Sequence, residues 1–184
     1  MTEEAARLNE DKLVRRAVGG DTEAFGDLYL RYLDDIYRYI FYRVRDEKRA
    51  EDLTERVFVS AWEAMEGYQP RGYPFSSWLY RIAHNAVVDH YRTDRDEKPL
   101  DAMTFALADE SPGPEEALLK KREVSRLLEA IAQLSEEKQR LIILRFVEGL
   151  SHAQVAQILG KSEGACRVIQ HRALVALSEI LGSE

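Results

Sequence analysis

One segment of this chain cannot belong to a packed core, and it divides the rest. Residues 93–117, TDRDEKPLDAMTFALADESPGPEEA, carry 2 basic and 8 acidic side chains and three of the chain's five prolines. Pro99, Pro112, Gly113 and Pro114 interrupt any regular helix or strand. Unbalanced acidic charge favours a solvated, extended chain. The segment is therefore predicted to be a linker, with a short apolar stretch from Leu100 to Leu107 able to dock. It separates residues 1–92 (14 bases, 17 acids, net −3) from residues 118–184 (10 bases, 8 acids, net +2). The linker alone contributes −6 of the chain's net charge of −7.

Both flanks show helical periodicity with almost no strand alternation. An all-α fold follows: two small helical domains joined by an acidic, proline-containing linker. The first domain opens with a short helix, about Asn9 to Val18, ended by Gly19-Gly20. Asp21 is placed to cap the next helix. In it Phe25, Leu28, Tyr29, Tyr32, Ile36, Ile40 and Val44 recur every three or four residues and form one apolar stripe. A further helix carries Leu53, Val57, Phe58, Ala61, Trp62 and Met65 and stops near Gly67. After a loop, Gly67 to Pro74, a helix from about Phe75 to Arg92 buries Trp78, Leu79, Ile82, Ala83, Ala86 and Val87. Both tryptophans lie on apolar stripes and are expected in the core, as are Tyr29, Tyr32 and Tyr37. In the second domain one helix is expected over Leu118–Leu134. Another, capped by Ser135, should run to Val147, and Ser151 and Ser162 should cap the last two.

Several classes are excluded. No apolar run approaches the roughly 18 residues of a membrane span, and the acidic N-terminus is no secretory signal. With one cysteine, Cys166, no intramolecular disulfide can form. His84, His90, His152 and His171 have no ligand spacing with it, so no metal site and no cofactor are expected. A cytoplasmic location follows.

The strongest single motif is HAQVAQILGKSEGACRVIQHR, residues 152–172. A helix-turn-helix needs a small residue where its helices nearly touch, and Ala156 supplies one. It needs a turn residue that tolerates positive φ, which Gly160 does. Val155, Leu159, Cys166 and Ile169 have the spacing to hold the two helices together. At this position Cys166 reads as a buried small hydrophobe rather than a reactive thiol. The second helix then presents Ser162 and Glu163 at its start and Arg167, Val168, His171 and Arg172 outward. Arginine can grip a guanine edge or a phosphate, and a helix N-terminus offers N–H groups to phosphate.

Two stretches of the first domain, Ala50-Glu-Asp-Leu-Thr-Glu-Arg-Val-Phe-Val-Ser-Ala-Trp62 and Pro74-Phe-Ser-Ser-Trp-Leu-Tyr-Arg-Ile-Ala-His-Asn-Ala-Val-Val-Asp-His-Tyr-Arg92, resemble the extracytoplasmic-function (ECF) group of bacterial sigma factors. Gly20-Asp-Thr-Glu-Ala-Phe25 is similar to the group's usual opening, and the helix-turn-helix resembles its second DNA-binding domain. The resemblance covers roughly residues 10–92 and 118–181, with the motifs in the expected order.

The resemblance implies a sigma factor that binds core RNA polymerase and directs promoter recognition, local DNA melting and transcription initiation. The helix with Glu51, Asp52, Leu53, Glu55 and Arg56 would bind the polymerase clamp. The helix with Arg81, Asn85, Asp89 and Arg92 would read the −10 element, and the 67–74 loop, with Tyr68, Arg71 and Tyr73, would capture a flipped base. The last helix would read the −35 element. The linker would thread towards the active-site and RNA-exit channels, and its 25 residues cannot hold the middle domain of larger sigma factors. An anti-sigma factor is an expected partner. The chain departs from the group's habit of Gln-Glu at Glu55-Arg56, of a β-branched residue at Cys166, and of polar or basic residues at Val168-Ile169-Gln170.

Simple physics agrees. Melted DNA exposes base faces, and Tyr68, Tyr73 and Arg71 offer stacking and cationic partners. The net acidic chain is expected to bind DNA weakly without the polymerase. A stand-alone helix-turn-helix regulator acting as a dimer is the alternative; it leaves residues 50–62 and 74–92 without a role. An enzyme is not expected, because no paired-acid, Ser-His or metal constellation occurs. A purely protein-binding helical module would leave the helix-turn-helix unexplained.

Overall fold

The computed structural model describes residues 3–70, 72–94 and 114–182, with side chains inside helices described from 8 to 93 and from 122 onward. Most of the expected linker, and Arg71, lie outside the described residues. The chain divides into two compact units, residues 1–99 and 100–184, with no strand among the described residues.

The first unit contains α1 (Glu3–Val18), α2 (Thr22–Val44), α3 (Glu47–Ala64) and α4 (Phe75–Asp94). α1 starts six residues earlier than its expected beginning at Asn9, because EEAARL is rich in strong helix formers. It ends as expected: Gly20, at φ 85°, sends its N–H to Ala17 O, and Asp21 N–H reaches Arg16 O. Asp21 then caps α2 by accepting from Ala24 N–H at 3.0 Å and from Arg16 Nε at 2.8 Å. Those bonds, the backbone one first, hold its carboxyl below the ordinary carboxylate range. Asp46 caps α3 in the same way through Arg49 N–H at 2.7 Å.

α2 packs against α1, α3 and α4, so its buried surface is wider than one stripe. Leu28, Tyr32, Ile36 and Ile40 are buried as expected, while Phe25, Tyr29, Tyr37 and Val44 are only half-buried. Tyr39, fully buried, meets Tyr80 edge-on at 5.3 Å, and Arg43 lies beside it with Nη1 donating to Tyr39 Oη at 3.3 Å. From α4, Tyr91 Oη donates to Arg43 O at 2.6 Å. The expectation of a buried Trp62 is corrected: it is 36% exposed, because it sits on the rim of α3 against Phe25 at 5.0 Å rather than between helices. Trp78, also expected in the core, is half-buried and forms part of a groove wall.

The second unit contains α5 (Pro114–Ala132), α6 (Glu136–Ile142), α7 (His152–Leu159) and α8 (Glu163–Gly182). α5 begins four residues before the expected Leu118, with Pro114 as first helical residue, where a missing N–H costs nothing. Beyond α6 the backbone continues as one π-helical turn, Ile143–Val147, closed by Glu148 N–H to Ile143 O at 3.0 Å. Ser135 stands at the start of α6, but its side chain makes no capping bond, contrary to expectation. α5, α6 and α7 all pack on α8 around Leu128, Ile131, Leu141, Leu144, Val155, Ile158, Cys166 and Ala173.

Candidate nucleic-acid and polymerase surfaces

The helix-turn-helix is built from local signals. Ser151 Oγ accepts from Gln154 N–H at 3.2 Å, and Gln154 Oε1 in turn accepts from Ser151 N–H at 2.8 Å. Gly160, at φ 66°, closes α7, and Ser162 Oγ accepts from Ala165 N–H at 3.1 Å to start α8. Ala156 is buried at the helix contact, with Val155, Cys166 and Ile169 buried around it. Leu159, expected there, is half-buried, and Ile158 takes the inner position. Burial pushes the Cys166 thiol up, away from reactive thiolate character. Ser162, Glu163, Arg167, Val168, His171 and Arg172 are all exposed. In the free protein Arg167 pairs with Glu163 at 3.2 Å, one turn away.

Gln170 was not picked out by its sequence position as a structural link. It turns inward, its Oε1 lying 3.0 Å from His152 Nε2 and 3.4 Å from Arg145 Nε. Arg145 also donates to Leu150 O. The π-helical turn, the first residue of α7 and helix α8 are thereby joined through one amide.

In the first unit, α4 presents Arg81, Asn85, Asp89 and Arg92 at spacings of four, four and three, all exposed and on the side opposite buried Leu79, Ala83 and Val87. Asp89 and Arg92 form an exposed ion pair at 3.2 Å. At the N-terminal end of α4 lies an open groove of about 960 Å³, lined by Tyr68, Tyr73, Pro74, Ser77, Trp78 and Arg81 among others. The loop and α4 are therefore brought together on one surface. Tyr73 is 47% exposed, whereas Tyr68 packs on Trp78 at 4.7 Å and edge-on to Phe75 at 5.5 Å. Burial, and then Glu10 and Asp11 nearby, raise the Tyr68 phenol's pKa. Ser77 is 1% exposed and its Oγ has no hydrogen-bond partner. The rings of Tyr73 and Trp78 beside the Arg81 cation suit an unstacked base, while Glu63 and Glu66 on the same lining offset that cation's charge.

On α3, Glu51, Asp52, Glu55 and Arg56 are exposed, but Leu53 is 3% exposed and belongs to the core. Its side chain supports this face from beneath and is not available to a partner. Val59, 57% exposed beside the charged residues, is an apolar element of the face that sequence reasoning missed, since its position fits no stripe.

Among the described residues no group of His, Cys, Asp or Glu could hold a metal ion, and no helix is long and apolar enough to cross a membrane.

Comparison with known proteins places the chain in one family. Residues 28–97 match Sigma-70 region 2, and residues 125–177 match Sigma-70, region 4. The chain is 38% identical over 181 residues to the ECF RNA polymerase sigma factor BldN of Streptomyces coelicolor, spanning 97% of this chain and 67% of that one. It is 33% identical over 184 residues to the ECF RNA polymerase sigma factor SigD of Mycobacterium tuberculosis, spanning 97% and 86%. Among solved structures it resembles CnrH of Cupriavidus metallidurans in complex with the cytosolic domain of CnrY, with a TM-score of 0.73, 25% identity, and coverage of 96% of this chain and 99% of that one. The protein belongs to the ECF group of sigma factors, subunits that direct RNA polymerase to promoters.

Proposed function

We propose that this sigma factor divides its work among three surfaces. The exposed face of α3, with Glu51, Asp52, Glu55 and Arg56 over buried Leu53, binds the polymerase clamp. The groove beside the 67–74 loop, with Tyr68, Arg71 and Tyr73, takes a flipped base of the −10 element, and Arg81, Asn85, Asp89 and Arg92 follow the adjoining bases and phosphates. The outer face of α8, from Ser162 to Arg172, reads the −35 element in duplex form. In this reading residues 1–92 and 118–184 are the two functional domains, and the acidic segment 93–117 runs between them through the polymerase channels.

The observation that carries the reading is the groove. It brings Tyr73, Trp78 and Arg81 to one open surface within the stretch that matches Sigma-70 region 2. Stacking platforms beside a cation suit single-stranded DNA, while a helix with exposed Arg167, His171 and Arg172 suits a duplex groove. The protein acts in the cytoplasm as a non-enzymatic subunit. An anti-sigma factor holds it in reserve, in keeping with the solved relative CnrH, which is bound by the cytosolic domain of CnrY. The stand-alone dimeric regulator gains no support, since it has no use for a region 2 domain.

Run-off transcription with purified core polymerase over a promoter library tests this function. Transcripts with defined starts that require the chain are expected. A competent core that gives none, and does not co-purify with the chain, would contradict it.

A further inference from the structure

Glu10 joins three elements that are distant in sequence. Its Oε2 accepts from Tyr32 Oη on α2 at 2.5 Å, and its Oε1 accepts from Phe75 N–H, at the start of α4, at 3.3 Å. Arg31 Nη1 lies 3.9 Å away and balances the charge, and the Glu10 side chain is only 13% exposed. Phe75 is the first residue after the 67–74 loop, and its ring sits among Tyr32 (5.9 Å), Tyr68 (5.5 Å) and Trp78 (5.3 Å). Tyr68 and Trp78 line the groove.

We infer that Glu10 is a positioning residue for the groove: its carboxylate fixes Tyr32 and the first N–H of α4, and so sets the Phe75 ring against which Tyr68 and Trp78 are held. Two physical arguments support this. A carboxylate at a helix N-terminus satisfies an N–H that the helix cannot pair, and it is favoured by the helix dipole. It also occupies the place where α4 would otherwise attract a DNA phosphate, so the loop is left to hold a base. Both acceptor oxygens are used, each by a different element, so removing the carboxylate frees the start of α4 from α1 and leaves Tyr32 Oη without its acceptor. The inference rests on the proposed role of the groove in holding single-stranded DNA.

The test uses holoenzyme reconstituted with the full chain. It measures binding of a single-stranded non-template −10 oligonucleotide and, separately, of a −35 duplex, for Glu10→Ala, Glu10→Gln, Tyr32→Phe and Tyr73→Ala. Glu10→Ala is expected to weaken oligonucleotide binding about tenfold, the scale of one lost base–aromatic stack, with duplex binding unchanged. Glu10→Gln, which keeps an acceptor for Phe75 N–H, is expected to recover most of it. Should Glu10→Ala fold poorly, Tyr32→Phe removes the 2.5 Å bond while keeping the ring and is expected to weaken the oligonucleotide in the same selective way. Lower thermal stability with unchanged oligonucleotide affinity per folded molecule overturns the inference. So does a loss confined to Tyr73→Ala, which leaves the groove's role standing. No effect from any of the four changes overturns the groove's role and the Glu10 inference together.

Discussion

The two units of this molecule are held together by different means. The first contains 15 of the chain's 17 aromatic residues, and they meet one another across helices: Tyr39 on Tyr80, Tyr29 on Phe58, Phe25 on Trp62. Its polar links are equally distant in sequence, as in Glu10 to Tyr32 and Phe75, or Tyr91 to Arg43. The second unit has only two aromatic residues, Phe105 and Phe146, and Phe146 is 56% exposed. Its core is aliphatic, and its helix-turn-helix is set by caps within a few residues, Ser151 with Gln154, Gly160 and Ser162, with Gln170 tying it to His152 and Arg145. The contrast fits the two forms of DNA each is proposed to meet. Unstacked bases are held by ring faces and a rigid pocket. A duplex is read by polar side chains on one well-aimed helix, which short-range capping suffices to place.

The largest effect expected from breaking that contrast is on the aliphatic core. Leu144 is fully buried in the second unit, and Leu144→Ala should destabilise that unit by about 2–5 kcal/mol. Hydrogen exchange should show protection lost from α6, α7 and α8 and kept in α1–α4; equal losses in both would show that the units are not separable. Next is Tyr73→Ala. Its side chain is exposed, so stability should hold, while run-off transcription should fall by the equivalent of about 1–3 kcal/mol, one base stack. Arg167→Ala should cost a similar roughly 1–3 kcal/mol in binding to −35 duplex, with little change in thermal midpoint, because its pair with Glu163 is solvent-exposed. Ser151→Ala removes half of the α7 capping box and should lower the stability of the second unit by about 1 kcal/mol, read by denaturant titration.

The smallest expected effect is one of pH. Burial first, and then the bond to Glu10, push the Tyr32 phenol far above its ordinary value of 10.0. The folded state keeps the proton while the unfolded chain loses it, so the contribution is full below pH 10 and is lost as pH rises beyond it. The first unit should therefore lose stability as pH rises above 10, and Tyr32→Phe should flatten that decline. The second unit has no tyrosine; its buried Cys166 thiol, raised from the ordinary 9.0, should give it a decline of its own that Tyr32→Phe leaves untouched.

Much of the second unit was legible because its determinants are local. Ser151, Gln154, Gly160 and Ser162 carry their roles in their spacing, and the structure shows each of those roles. Ser135 did not follow suit: its position was right and its bond was absent. In the first unit, periodicity found the helices but not all of the core. Tyr39 and Arg43 lie off the main stripe and are buried because α2 touches three other helices. Trp62 was expected inside and stands on the rim, and Leu53, expected at the polymerase surface, lies under it. Glu10 was invisible, since its partners lie 22 and 65 residues away and no spacing rule links them. Gln170 was obscured by its place on a helix whose neighbours at 167, 168, 171 and 172 all face outward.

The most direct test of the account crosses two variants with two forms of DNA. Holoenzyme containing Tyr73→Ala or Arg167→Ala is titrated with a single-stranded −10 oligonucleotide and with a −35 duplex. The account predicts that Tyr73→Ala weakens only the single strand and Arg167→Ala only the duplex. Either variant weakening both ligands equally would contradict the division of labour between the aromatic unit and the capped one.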